Sequence, residues 1–450
     1  MTSVLSNQQD RHNQLVEALD RGTLGEVRSL LLEVPAADIA HLIEASPPPR
    51  RAVIWKLIAT EDQGEVIQYL SDEIRAEQLS QFDTKDIVQL IDELDNDDFA
   101  DILQDLPETV LNQVLDALTE QNRRDIEQVL LYDEDTAGGL MDTQFITIRP
   151  NITIGTVQRY LRMHTELPDN LDALLVVNRK GALVGRLKIK DFLVAPPELH
   201  VRDRMETEFD IIGVMTSNTD VAKLFERHDL ISAPVVTETG NLVGRITIDD
   251  VVDVIRDEGN HHLFSMAGLD EDSDTFAPVA KTAQRRAIWL GINLVTALLA
   301  SAVIYYFEAT IAQVVYLAAV MPIVASMGGI AGSQTLTLMI RSTALGHLNG
   351  SNWVWLLSRE VSVAIINGLL WAIVIGSLTA FWFNDPIIGF ILGAALIINL
   401  LVAAVAGALL PIGLEKIGID PALAGSVILT TVTDVIGFVA FLGLATIFYM

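Results

Sequence analysis

The sequence predicts a multidomain chain: an all-α, solenoid-like N domain, a duplicated α/β module, and an α-helical membrane bundle of five spans. Three observations carry this. Charge is segregated: all but six of the 59 acidic and all but three of the 30 basic residues precede residue 301, in a chain of net charge −29. Apolar stretches long enough to cross a bilayer, which needs roughly 20 residues, begin only after Arg286. Residues 143–257 contain an internal repeat, whose copies share Leu-Val-Gly-Arg at Leu183–Arg186 and Leu242–Arg245.

Residues 1–135 read as the acidic helical N domain. Short amphipathic pieces recur at Val27–Leu32, Ile39–Ala45, Ala52–Ile58, Val66–Leu70, Ile87–Leu94, Phe99–Leu106, Val110–Leu118 and Ile126–Leu131. Pro35, Pro47–Pro49 and Pro107 punctuate them. Stacked pieces of this kind form a solenoid-like module without a strict repeat length. Met1–Asp20 is polar, so no signal peptide is expected. The absence of cysteine excludes disulfides and thiolate metal sites, as suits a reducing cytosol. The acidic balance argues against nucleic-acid binding.

Residues 136–200 and 201–258 are the two copies of the repeat. The first runs Leu174–Asn178, Lys180-Gly181, Leu183–Ile189, Lys190-Asp191; the second runs Ile231–Val236, Thr239-Gly240, Leu242–Ile248, Asp249-Asp250. Strand, glycine turn, strand and helix start are legible in both. A helix precedes each strand pair, at Ile154–His164 and Val221–His228. A connecting helix is expected over 259–284 and the membrane domain over 285–450.

The spans are Ala287–Phe307, Val314–Ile340, Val361–Phe383, Pro386–Leu414 and Pro421–Met450. Lys281, Arg285, Arg286, Arg341, Arg359 and Lys416 all fall on one side if the N-terminus is cytoplasmic, which puts Met450 outside. Asp434 is the one charged residue of the fifth span. A carboxylate at that depth marks a functional site by default. The second span carries Met327–Thr335, a run too small and polar for a lipid-facing helix. Ser333 and Thr337 share one face of it. A hydroxyl-lined face opposite one carboxylate suits a hydrated divalent cation, since Mg²⁺ keeps several waters and takes one or two carboxylates.

The duplicated unit resembles a pair of CBS modules. With the helical module, the connector and the five spans, the chain resembles one family, the MgtE magnesium channels. The markers are Tyr132–Met141, Gly328-Gly329…Gly332-Ser333-Gln334, and Asp420-Pro421 with Thr431…Asp434…Gly437. The resemblance implies Mg²⁺ uptake through a homodimer in a bacterial inner membrane, gated by cytosolic Mg²⁺. It implies that Asp434, Thr337 and Ser333 serve the pore. It implies gating carboxylates at Glu65, Asp97 and Asp101 in the helical module, and at Asp229, Asp250, Asp253 and Glu258 in the second copy and connector. ATP is an implied ligand of the CBS pair, with Asp191 a weak ribose contact because Lys188 stands where Thr247 supplies a hydroxyl in the second copy. Ile330 and Ser333 stand where some members have asparagine, and Val427 where some have proline. His261 and His262 replace acidic residues of the connector. Two other readings stand beside this one: a broad divalent-cation (Co²⁺, Ni²⁺) transporter, and a non-conducting membrane sensor of metal or nucleotide. No nucleophile–base, P-loop or zinc motif suggests an enzyme.

Overall fold

The computed structural model describes residues 15, 17–19, 21, 23–80, 82–90, 94, 96–104, 106–164, 167–168, 170–269, 274–344, 347–348 and 352–450. Part of the expected Ile87–Leu94 piece lies outside them. The chain divides into two compact units: residues 1–259 with 272–277, and residues 260–271 with 278–450.

The first unit opens with nine described helices: α1 Leu24–Leu31, α2 Ala36–Glu44, α3 Pro48–Trp55, α4 Gln63–Gln68, α5 Asp72–Leu79, α6 Thr84–Leu90, α7 Asn96–Gln104, α8 Glu108–Ala117 and α9 Glu120–Val129. None is long enough to hold alone in water. Each buries one stripe instead. In α7 the stripe is Phe99, Ile102 and Leu103, at helical spacing, and it joins a core with Ile43, Ile54, Ile67, Val114 and Ile126. Proline occupies the first turn of α3, where its missing N–H costs nothing.

Arg51 of α3 is 0 % exposed. Its guanidinium makes a two-pronged pair with Asp274, both bonds 2.6 Å, and donates to the Ile43 carbonyl at 3.0 Å. The Phe276 ring lies 5.9 Å from it, and the Asp274 N–H donates to Glu73 at 2.8 Å. Residues 274–277 are thereby held by the helical module.

Each repeat copy folds as a three-stranded sheet. The first is β1 Thr147–Ile148, β2 Ala173–Val177 and β3 Leu183–Lys188; the second is β4 Ile212–Gly213, β5 Ser232–Val236 and β6 Leu242–Thr247. In each, the short first strand pairs parallel to the second, and the second and third form an antiparallel hairpin. The hairpin turns need the left-handed region, which Gly181 (φ 85°) and Gly240 (φ 78°) supply. The turns also pair with each other: Leu183 N–H donates to the Gly240 carbonyl at 3.1 Å and Leu242 N–H to that of Gly181 at 3.2 Å. Helices α10 Ile154–Leu161, α11 Ile189–Val194, α12 Asn218–His228 and α13 Ile248–Met266 complete the pair.

The segment Tyr132–Met141 has a packing role. Ala137 and Gly138 N–H groups donate to the Thr216 and Val214 carbonyls at 2.7 and 2.9 Å. A Cβ built on Gly138 would lie 2.3 Å from Tyr132 Cγ, so only glycine fits there. Just beyond, buried Asp142 and Arg245 pair through side chains and backbone.

The connecting helix begins inside the second copy, at Ile248, and ends at Met266. Gly268 (φ 68°) closes it, with Leu269 N–H on the Phe264 carbonyl at 2.9 Å. Residues 274–278, inside the expected 259–284 connector, are not helical.

In the second unit the spans are Val279–Tyr306, Tyr316–Ala344, Trp353–Phe383, Pro386–Lys416 and Pro421–Tyr449. The fourth is the hub, packed on the second, third and fifth, and the first rests on the fifth. Close approach explains the glycines. A Cβ on Gly389 would lie 2.3 Å from the Gly376 carbonyl, and one on Gly407 would lie 2.8 Å from that of Gly332.

Candidate functional site

The fifth span starts with its own cap. Asp420 accepts the N–H groups of Ala422 and Leu423 at 2.8 and 3.2 Å, and Pro421 takes the first helical position. The Thr430, Thr431 and Thr433 hydroxyls turn back onto the helix, donating to the Ser426, Val427 and Thr430 carbonyls. That satisfies them without a partner helix. None of the three donates to Asp434. Asp434 is half-buried, and among the described residues no group donates a hydrogen bond to its carboxylate.

The second span is two-faced. Gly328, Gly332, Thr335, Leu336 and Met339 point inward. Ser326, Ile330, Ser333, Gln334 and Thr337 point outward, with Ile330 57 % exposed. The second and fifth spans run antiparallel with a register set by glycine contacts. Gly332 meets Leu429, Gly425 meets Leu336, and Asn399 lies between Gly328 and Gly437. At 1.5 Å rise per residue, these contacts put Asp434 level with the stretch between Met327 and Ala331. Ser333 is then about one turn, and Thr337 about two turns, toward the Ala344 end. No hydrogen bond joins the three among the described residues.

The candidate carboxylates of the first unit divide into two groups. Asp250 closes a capping arrangement at the start of α13, accepting Thr247 N–H at 3.2 Å and its hydroxyl at 3.0 Å. Burial, then the charge of Asp249, push its carboxyl up to about 7 against these bonds, and Asp98 adds to the rise. Burial raises Asp253 too, opposed by Arg256. Tyr69 at the end of α4 is raised by burial and then by Glu65, Asp98 and Asp253. Negative charge from α4, α7 and α13 therefore converges. Asp229 stands apart, as the exposed left-handed cap of α12 (φ 50°). Asp97 is buried in the first turn of α7, where a carboxylate is favoured by the helix N-terminus. Asp101 is half-buried on the same helix, and Glu258 accepts the Thr219 hydroxyl at 3.5 Å. No three acidic or histidine side chains among the described residues stand close enough to hold a metal ion as they are. In donor type, the carboxylates fit a hard cation that keeps some of its water.

Comparison with known proteins gives this geometry a context. Residues 34–135 match the profile of the MgtE intracellular N domain, 137–198 and 201–257 the CBS domain, and 321–444 the divalent cation transporters of MgtE type. A magnesium transporter MgtE of Bacillus subtilis strain 168 is 30 % identical over 437 residues, covering 97 % of this chain and 96 % of its own. The magnesium transporter MgtE of Thermus thermophilus is also 30 % identical over 437 residues, covering 96 % and 97 %. The crystallised cytosolic domain of a Mg²⁺ channel MgtE in complex with ATP shares 32 % identity with a TM-score of 0.50, over 54 % of this chain and 99 % of that one. The chain belongs to the MgtE family of magnesium transporters. It is a multi-pass membrane protein and not an enzyme.

Three polar positions of this MgtE chain escape a reading of sequence. Asp98 carries charge toward Asp250 of α13 and toward Tyr69. Glu360, 8 % exposed in the third span, accepts the buried Thr335 hydroxyl at 3.2 Å. Asn399 of the fourth span is fully buried. An ionisable residue inside an apolar helix is a signal for such sites, but Glu360 follows Arg359 and reads as a boundary. In the CBS pair, Lys188 and Arg186 are both taken by Glu206, at 2.8 Å each. Asp191 sits half-buried in the first turn of α11.

Proposed function

We propose that the chain is a Mg²⁺-selective channel whose path forms between two copies, with Asp434 as the carboxylate facing the hydrated ion. The observation that carries this is the outward stripe of the second span. Ser326, Ser333, Gln334 and Thr337 would meet hydrocarbon in a single protomer. Polar groups at that depth belong against protein or water, and a second copy supplies both. An Mg–O distance of about 2.1 Å plus a hydrogen bond of about 2.7 Å lets a hydrated ion span roughly 10 Å. Thr337, about two turns from Asp434, is reached only through that water shell.

The cytosolic carboxylates Glu65, Asp97, Asp101, Asp229, Asp250, Asp253 and Glu258 are the candidate gating groups, to which Asp98 is added. A divalent ion among like charges reverses the sign of their interaction, so cytosolic Mg²⁺ favours the state that gathers them. The basic residues flanking the spans support a cytoplasmic N-terminus and an external C-terminus. ATP at the CBS pair is proposed from the relative crystallised with it. A second reading, broader divalent transport, is favoured by exposed Ile330 at the level of Asp434, where an apolar group offers the hydration shell no hydrogen bond. Flux through purified protein in liposomes tests both. Asp434→Ala is expected to abolish Mg²⁺ flux, and wild type to prefer Mg²⁺ over Co²⁺ and Ca²⁺. Undiminished flux through Asp434→Ala refutes the first reading; equal Co²⁺ and Mg²⁺ flux selects the second.

A further inference from the structure

We propose that Asn399 is a positioning residue for the ion path, its amide fixing the second span against the fifth and so setting where Asp434 stands. The inference rests on the reading of Asp434 as the path's carboxylate. Asn399 lies in the middle of the fourth span, 0 % exposed. Its Nδ2 donates to the Val324 carbonyl of the second span at 2.8 Å. A Cβ built on Gly328 would lie 2.2 Å from that Nδ2, and one on Gly437 2.7 Å from it. One flat amide therefore fills the space left by two glycines on two different helices. Gly437 is one turn beyond Asp434.

The choice of an amide calls for an account. Alanine or leucine would suit an apolar interface, and a buried polar group is costly unless bonded. Asn399 Oδ1 accepts no hydrogen bond among the described residues. Self-satisfaction of the side chain therefore does not explain asparagine here. What an apolar residue would lack is the bond to Val324 and the thin planar profile between the glycines. In lipid, helices associate through close packing and polar bonds rather than a hydrophobic drive, so one directional contact decides rotation and register. The Glu360–Thr335 bond holds the same helix from the third span, more than two turns away. Rotation of the second span would swing Ile330 and Ser333 relative to Asp434.

The test uses the full chain in liposomes: wild type, Asn399→Ser, Gly328→Ala and Asp434→Ala. Asn399→Ser loses the contact; Gly328→Ala displaces the amide without altering residue 399. Both are expected to raise the half-saturating Mg²⁺ concentration about fivefold, the factor set by one hydrogen bond, and to shift the Co²⁺/Mg²⁺ flux ratio upward. A purely structural role would lower the maximal flux at unchanged half-saturation and ratio, and that result overturns the proposal. So does failure of both variants to reconstitute, since the role assigned is positioning and not folding. If Asp434→Ala retains flux, the reading of the path fails as well. If it is inactive while Asn399→Ser and Gly328→Ala keep wild-type half-saturation and ratio, the Asn399 proposal fails alone.

Discussion

Replacing Asp250 by asparagine stabilises the soluble portion near pH 8 and blunts its response to Mg²⁺. Asparagine keeps an oxygen for the Thr247 cap and removes the charge. The fold lifts this carboxyl from 3.8 to about 7, through burial and then the charge of Asp249. At about 1.4 kcal/mol per unit, the ionised form is disfavoured in the fold by up to ~4 kcal/mol. The folded state thus holds its proton more tightly than the unfolded state. Stability contributed by this group is present at low pH, falls as pH rises from about 4 to about 7, and is flat above. The asparagine variant lacks that slope, so it gains roughly 2–4 kcal/mol over wild type near pH 8 and about nothing near pH 4. Urea unfolding of residues 1–277, which keep the Arg51–Asp274 pair, measures this at several pH values, since the cytosolic domain of a relative has been crystallised on its own. Added Mg²⁺ should stabilise wild type more than the variant. A variant less stable than wild type near pH 8 would refute the reasoning, as would a wild type that strengthens between pH 5 and 7.

Three further outcomes follow from the packing. Arg51→Ala removes the buried partner of Asp274 and should cost about 3–5 kcal/mol, seen as a lower thermal midpoint and faster proteolysis within 274–278; lysine should not rescue it, because one ammonium cannot replace the fork. Gly389→Ala drives a Cβ onto the Gly376 backbone, and is expected to cost about 1–3 kcal/mol, read as loss of monodisperse protein in detergent. Thr335→Val strips a donor from buried Glu360 and should cost roughly 1–3 kcal/mol in detergent unfolding, with Glu360→Gln milder because the amide oxygen still accepts the hydroxyl.

Much of this architecture is legible because its signals are local. Hydropathy locates the spans, and the repeated Leu-Val-Gly-Arg locates the two hairpins. The third span begins at Trp353, eight residues before the expected Val361, because Ser358, Arg359 and Glu360 interrupt the apolar run. Strands Thr147–Ile148 and Ile212–Gly213 are two residues long and exist only through pairing with a later strand, so no pattern announces them. Adjacent helical positions differ by about 100°, which is why Asp97 turns inward while Asp98 carries charge toward Asp250. The Arg51–Asp274 pair joins positions 223 apart in the chain. The Asp434 level on the second span needed the glycine contacts, which no sequence pattern orders in space.

The carboxylates at the start of α13 run against ordinary structural economy. A fold that needs only stability surrounds its acids with basic or neutral donors, as half-buried Glu206 is flanked by Lys188 and Arg186 and held below its usual range by them. Around Asp250 the opposite holds: burial, Asp249 and Asp98 all oppose its ionisation, and only Thr247 favours it. Residues that lower stability in the ionised form are expected where function demands them. Protons relieve that repulsion at low pH; near neutral pH a divalent cation can do so, and Mg²⁺ fits oxygen donors. His261 differs in kind. It bonds Asp420, the cap of the fifth span, at 3.3 Å, and imidazole favours softer metals or a proton. In the proposed gating, the hard-cation response would therefore rest on the carboxylates of α4, α7 and α13, whose oxygen donors suit Mg²⁺ better than an imidazole does.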